Sequence, residues 1–107
     1  MFAILIAGTQ SAENVVVEIA RKGNLHSFIP PTIWVTGLGA AETIPVQFPV
    51  VADPDPDADT HWTTPKTEGA DLAITADNTF IAPFSISQIR LKKPVTAADV
   101  AVFMEAE

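Results

Sequence analysis

Apolar and polar residues alternate along most of this chain in short bursts, separated by glycine, proline or acidic turns. A period of two puts one face of a strand against a core and the other toward solvent. Residues 32–36 set Ile33 and Val35 on one side and Thr32, Trp34 and Thr36 on the other. Residues 44–51 place Ile44, Val46, Phe48 and Val50 on one face, with Gln47 opposite. Pro45 and Pro49 share that opposite face and mark an edge or an interruption, because proline cannot donate to a ladder. In 87–93, Ile89 and Leu91 point inward while Gln88, Arg90 and Lys92 point outward. In 100–104, Val100, Val102 and Met104 face in, and Ala101 and Phe103 face out. Residues 14–20 hold three consecutive valines, which favour a strand over the alternative of a helix from Ser11. Residues 2–7 are apolar on both faces, and 25–29, 71–75 and 80–84 are further short strands, the first stopped by Pro30 and Pro31.

The connectors are equally explicit. Gly23, Gly37, Gly39 and Gly69 punctuate loops, residues 53–59 alternate Asp with Pro or Ala, and residues 76–79 read as a turn. Thr96 and Asp99 fit a one-turn capped helix, the lesser reading of 94–99. Eight or nine short strands without a convincing amphipathic helix predict one all-β domain over residues 1–107. Half-apolar sheets must each bury a face, so the expected fold is a two-layer antiparallel β-sandwich, Ig-like or jelly-roll-like, with a small β-barrel as the alternative.

Composition narrows the function. The net charge is −7, from 13 acidic and 6 basic residues, and the basic clusters are only Arg21-Lys22 and Arg90, Lys92 and Lys93. Nucleic acid is therefore not an expected partner, since phosphate binding needs a concentrated positive footprint. Acidity also disfavours anionic membrane surfaces, and no apolar run approaches the roughly 20 residues that span a bilayer. The apolar start lacks the basic region and cleavage pattern of a secretory leader and is expected to be the first strand. Cysteine is absent, so thiolate chemistry and Cys-ligated zinc are excluded.

Candidate chemistry is sparse. Asp53, Asp55, Asp57 and Asp59 recur at every second residue, as hard-cation ligands can. The run lacks the glycine, the terminal glutamate and the flanking helices of an EF-hand loop, and reads as a solvated acidic hairpin tip. His26 and His61 have no partners at catalytic or metal-ligand spacing and read as surface or interface histidines. Trp34 and Trp62, each between threonines, read as core tryptophans, with a sugar-stacking platform as the alternative. Gly37-Leu38-Gly39 lacks the third glycine and the helix of a dinucleotide fingerprint, and no nucleophile elbow is present. These residues imply no catalytic site, no cofactor and no metal, hence no enzyme.

From Ile44 to Ala106 the chain resembles the small β-sandwich proteins of tailed-phage virions, the capsid cement or decoration type. The shared cadence is a strand, an Asp-rich turn, a Trp-centred strand, the apolar segment Phe80-Ile81-Ala82-Pro83-Phe84-Ser85-Ile86-Ser87-Gln88-Ile89-Arg90-Leu91-Lys92-Lys93-Pro94, and a last strand near residues 100–104. Two prolines stand in the acidic turn where that family pattern suggests glycines. The resemblance implies a non-enzymatic virion protein on the capsid surface, with the major capsid protein and neighbouring copies of itself as partners and a possible homo-oligomer. A carbohydrate-binding or host-recognition module is the alternative, and a small β-barrel enzyme or accessory domain a distant third. A strand apolar on both faces needs covering twice, so Phe2, Ile4, Ile6 and Phe103 are the expected interface residues.

Overall fold

A computed structural model of the chain describes residues 2–18, 31–76, 78–81 and 88–105. Eleven strands occur among these residues: β1 (Phe2–Thr9), β2 (Glu13–Glu18), β3 (Thr32–Thr36), β4 (Thr43–Pro49), β5 (Trp62–Thr63), β6 (Lys66–Thr67), β7 (Ala70–Asp71), β8 (Ala73–Thr75), β9 (Phe80–Ile81), β10 (Gln88–Lys93) and β11 (Val100–Glu105). Nine of them form two antiparallel sheets packed as a sandwich, and β6 and β7 pair separately as a hairpin. One sheet runs β1-β11-β3-β9, and the other β2-β10-β4-β5, with β8 also on β4. The sheets stay separate, so the fold is the sandwich and not the barrel. The predicted strand at 25–29, with His26, lies outside the described residues.

The alternation read from the sequence builds the core. Ile33, Val100, Val102 and Met104 from one sheet meet Val17, Ile44, Val46, Ile74, Ile89 and Leu91 from the other. Neither helical alternative forms: β2 starts at Glu13, and residues 94–99 are an irregular connector. In that connector Thr96 is buried, and its hydroxyl donates to the Ala98 carbonyl while accepting from the buried Lys93 ammonium. Lys93 Nζ also donates to the carbonyls of Ser11 and Pro94, so all three of its protons are engaged at one end of the sandwich.

Four local departures have clear causes. β4 ends at Pro49, and the Val50 N–H bonds the His61 carbonyl at 2.9 Å, which turns Val50 out of the expected inward face into solvent. The expected strand at 71–75 is split at Leu72, whose N–H donates to Pro65 and whose carbonyl accepts from Val46. Residues 64–69, expected as a plain loop, instead supply β6 and the turn of the β6–β7 hairpin, with Glu68 and Gly69 both at positive φ (55° and 84°) as a two-residue primed turn requires. In β1 the register slips between Ile4, opposite Phe103, and Ile6, opposite Val102. The extra residue, Leu5, makes a β-bulge, and a bulge inverts the alternation beyond it. Phe2 and Ile4 therefore face outward, whereas Ile6 is buried in the core.

Candidate functional site

Two features stand on opposite outer faces of the sandwich. On the four-stranded sheet, β1, β11 and β3 bring Phe2, Phe103 and Trp34 together. Phe103 lies directly opposite both Ile4 and Trp34 in the ladders. Ring centroids are 5.8 Å apart for Phe2–Phe103 and for Trp34–Phe103, and 6.0 Å for Phe2–Trp34, with planes within 46° of parallel. A column of three rings would hold its outer pair at twice the inner spacing. Nearly equal separations describe a triangular plate lying on the sheet. Phe2 and Ile4 are 55% and 58% exposed, and Ile81, opposite Thr32 on β9, extends the apolar surface. Trp34, expected in the core, is half-buried in this plate because it belongs to the Thr32–Trp34–Thr36 face that points away from Ile33. Trp62, also expected in the core, is buried, but it lies outside the core cluster, against Arg90 and the Asp55 carbonyl.

The other feature is the acidic loop of residues 50–61. It is not a solvated tip. Its ends meet through the Val50–His61 bond, and its body folds back over the outer face of the five-stranded sheet, as a compact Ω-type loop does. Arg90 anchors it. Fully buried on β10, Arg90 donates from Nε to Gln47 Oε1 (2.8 Å), from one terminal nitrogen to the Pro56 carbonyl and from the other to Asp59 Oδ1 (both 2.9 Å). Its guanidinium lies 5.5 Å from the Trp62 ring centroid, where the ring's negative face attracts a cation.

The aspartates have separate tasks. Asp55 Oδ1 accepts the Asp57 N–H, the Asp55 carbonyl accepts the Trp62 indole N–H, and the Asp55 N–H donates to His61 Nδ1. His61 is thus a half-buried staple inside the loop, accepting the Asp55 N–H at Nδ1. Asp59 also receives Lys92 Nζ at 3.2 Å, and the hydrogen bonds from Arg90 and then Lys92 hold its carboxyl below the usual carboxylate range. Among the described residues no three His, Asp or Glu side chains are grouped to hold a metal ion. A cleft of about 670 Å³ between loop and sheet is lined by Asn14, Thr43, Gln47, Thr64 and Lys92 with Asp57 and Asp59. Its floor groups already bond one another, Gln47 to Thr64 and Lys92 to Asp59.

At the end of the sandwich Glu42 joins two loops. Its Oε1 accepts the Gly39 N–H at 2.7 Å and its Oε2 the Ala97 N–H at 2.9 Å, and these two bonds, in that order, lower its pKa. Gly37, at φ 89°, passes so close to Asp99 that any Cβ would overlap the Asp99 carbonyl. The Gly37-Leu38-Gly39 motif therefore serves loop packing.

Of the four expected interface residues, the structure gathers Phe2, Ile4 and Phe103 on one outer face and sends Ile6 into the core. The sequence reading missed Arg90, whose only signal was a lone arginine in an alternating strand of a chain with an aspartate run. Comparison of the chain with protein-family models, with curated proteins and with solved structures found no match in any of the three.

Proposed function

We propose that the chain is a non-enzymatic virion structural protein, a capsid cement or decoration subunit that lies on the outside of a tailed-phage head and binds the major capsid protein. The observation that carries this reading is the aromatic plate of Phe2, Trp34 and Phe103, flanked by exposed Ile4 and Ile81, on the outer face of the four-stranded sheet. Contiguous apolar surface of this kind marks protein contact sites, and aromatic residues supply most interface anchors. The resemblance to small virion sandwiches supplies the choice of partner. The chemically capable side chains support a structural role: His61, Asp55, Asp59 and Glu42 all hold loops. With the plate against the shell, the acidic loop on the opposite face points to solvent and keeps decorated particles apart.

The test is co-sedimentation with heads assembled from the coat protein encoded alongside the chain. Saturable binding, lost in Trp34→Ser and Phe103→Ser variants that keep their far-UV circular dichroism, is the expected result. Heads that leave the folded wild-type chain in the supernatant sink the proposal. A carbohydrate-binding role is the second reading, favoured by Trp34 standing outside the core. Soluble oligosaccharides added to the same assay separate the two, because a sugar binder shows ring-current shifts at Trp34 without heads present.

A further inference from the structure

We infer that the cleft between the acidic loop and the five-stranded sheet is a binding site for a neutral saccharide. It encloses about 670 Å³, within the roughly 300–1,000 Å³ of small-ligand sites. Its floor is the outer face of the sheet. The ladder sets Lys92 on β10 directly opposite Asn14 on β2. On β4, Thr43 and Pro45 flank the buried Ile44 and so share that outer face. Its wall is the loop, which Arg90 holds through the Pro56 carbonyl and Asp59. The concavity therefore exists before any ligand arrives, and little ordering is left to oppose binding.

Charge decides the class of ligand. The chain as a whole carries −7, yet around this cleft the signs cancel. Glu13, Asp57 and Asp59 are matched by Lys92, Lys93 and the Arg90 that bonds Asp59. Neither a cation nor an anion gains net attraction on entering. An apolar ligand would strip water from these polar groups without replacing their hydrogen bonds. A neutral molecule rich in hydroxyls fits, because each hydroxyl both donates and accepts.

Spare capacity of both kinds is present. Lys92 Nζ places one of its three protons, on Asp59 at 3.2 Å, and keeps two. The Asn14 amide N–H reaches Asp57 only at 3.5 Å, the limit of a hydrogen bond, and its carbonyl oxygen is open to a donor. Thr43 is exposed, and its hydroxyl has no partner among the described residues. Gln47, by contrast, is fixed between Arg90 and Thr64 and braces the floor. Pro45 and Pro94 also line the cleft and offer apolar surface to the C–H face of a sugar ring. The site lies on the opposite outer face from Phe2, Trp34 and Phe103. It goes beyond the proposed capsid role and does not rest on it.

The experiment is a heteronuclear NMR titration of the isotopically labelled full chain. The neutral probes are N,N′-diacetylchitobiose and lactose, and their charged counterparts are the cationic deacetylated chitobiose and the anionic sialyllactose. Expected are saturable shifts at Asn14, Thr43 and Lys92 at millimolar concentrations of a neutral sugar, with weaker shifts for its charged counterpart. Asn14→Ala and Thr43→Val, both at exposed positions, should each weaken binding roughly fivefold, the worth of one hydrogen bond, with unchanged circular dichroism. The absence of saturable shifts at the cleft with both neutral sugars overturns the inference. So does tighter binding of the charged counterparts, or unaltered affinity in the two folded variants. Shifts confined to Trp34 place the sugar on the other face and overturn it equally. Co-sedimentation with heads reads the aromatic plate alone, so failure here is distinct from failure of the capsid reading.

Discussion

Arg90 shows how one side chain can organise a dozen residues. Its planar fork meets three acceptors in three directions, from β4, from the loop backbone and from Asp59, over the Trp62 ring. Asp59 remains largely exposed and can return to water if the arginine is removed, which limits the penalty on that side. Arg90→Ala is therefore expected to cost about 3 kcal/mol, from lost charged hydrogen bonds and packing. Urea unfolding measures it, and limited proteolysis within residues 50–61 should accelerate in the same variant. Lysine cannot reproduce the fork, so Arg90→Lys should recover only part of the loss. Glu68 offers the opposite case. Its φ of 55° is a region that side chains other than Asn, Asp and Gly occupy at a disadvantage. Glu68→Asn should stabilise the chain by up to about 1 kcal/mol, because Asn-Gly is the preferred pair for this turn. A loss of stability on urea unfolding would mean that the Glu68 side chain matters to the hairpin.

At the scale of elements, the alternating segments were legible because burial on one face leaves a period-two imprint. β3, β10 and β11 face the way Ile33, Ile89, Leu91, Val100, Val102 and Met104 suggest. The imprint failed where a single residue changed phase or where a loop covered a strand. Nothing local in Ile4-Leu5-Ile6 announces a bulge, because all three are apolar and either phase is acceptable; only the pairing with Phe103 and Val102 decides it. Arg90 looked like any outward, solvated position because the loop that covers it lies 31 residues earlier in the chain. The aromatic plate needed the strand order β1-β11-β3, which no pattern within a strand encodes. Depth along β4 carries a prediction of its own. Ile44 and Val46 are fully buried, whereas Phe48 is half-buried near the strand's end. Ile44→Ala should cost about 2–5 kcal/mol, and Phe48→Ala, which opens a partly solvated site, should cost less. Denaturant midpoints in the reverse order would place the centre of the core nearer Phe48.

Over the whole molecule, two carboxylates tie distant segments together: Asp59 joins the loop to β10, and Glu42 joins the loops at Gly39 and Ala97. Both carboxyls sit below their ordinary pKa values in the folded protein, Asp59 through Arg90 and Lys92 and Glu42 through two backbone N–H groups. A lowered folded pKa means that the unfolded chain binds the proton more readily, so acid favours unfolding. The melting temperature should be level above about pH 5 and fall below about pH 4, as each carboxylate is protonated through its folded value. In the double variant Asp59→Asn, Glu42→Gln this dependence should flatten, and an unchanged acid slope would assign it to other carboxylates.

The pairing of β1 with β11, Phe2 opposite Glu105, has a consequence in time. β2 likewise waits for β10. In both sheets an early strand meets its partner only after some 70 or more intervening residues have been made, and closing such large loops slows folding. During synthesis the strand Phe2–Thr9 must remain uncommitted, apolar and unguarded, until residues 100–105 leave the ribosome. Chains truncated before β11 should therefore accumulate as aggregates rather than as partly folded monomers.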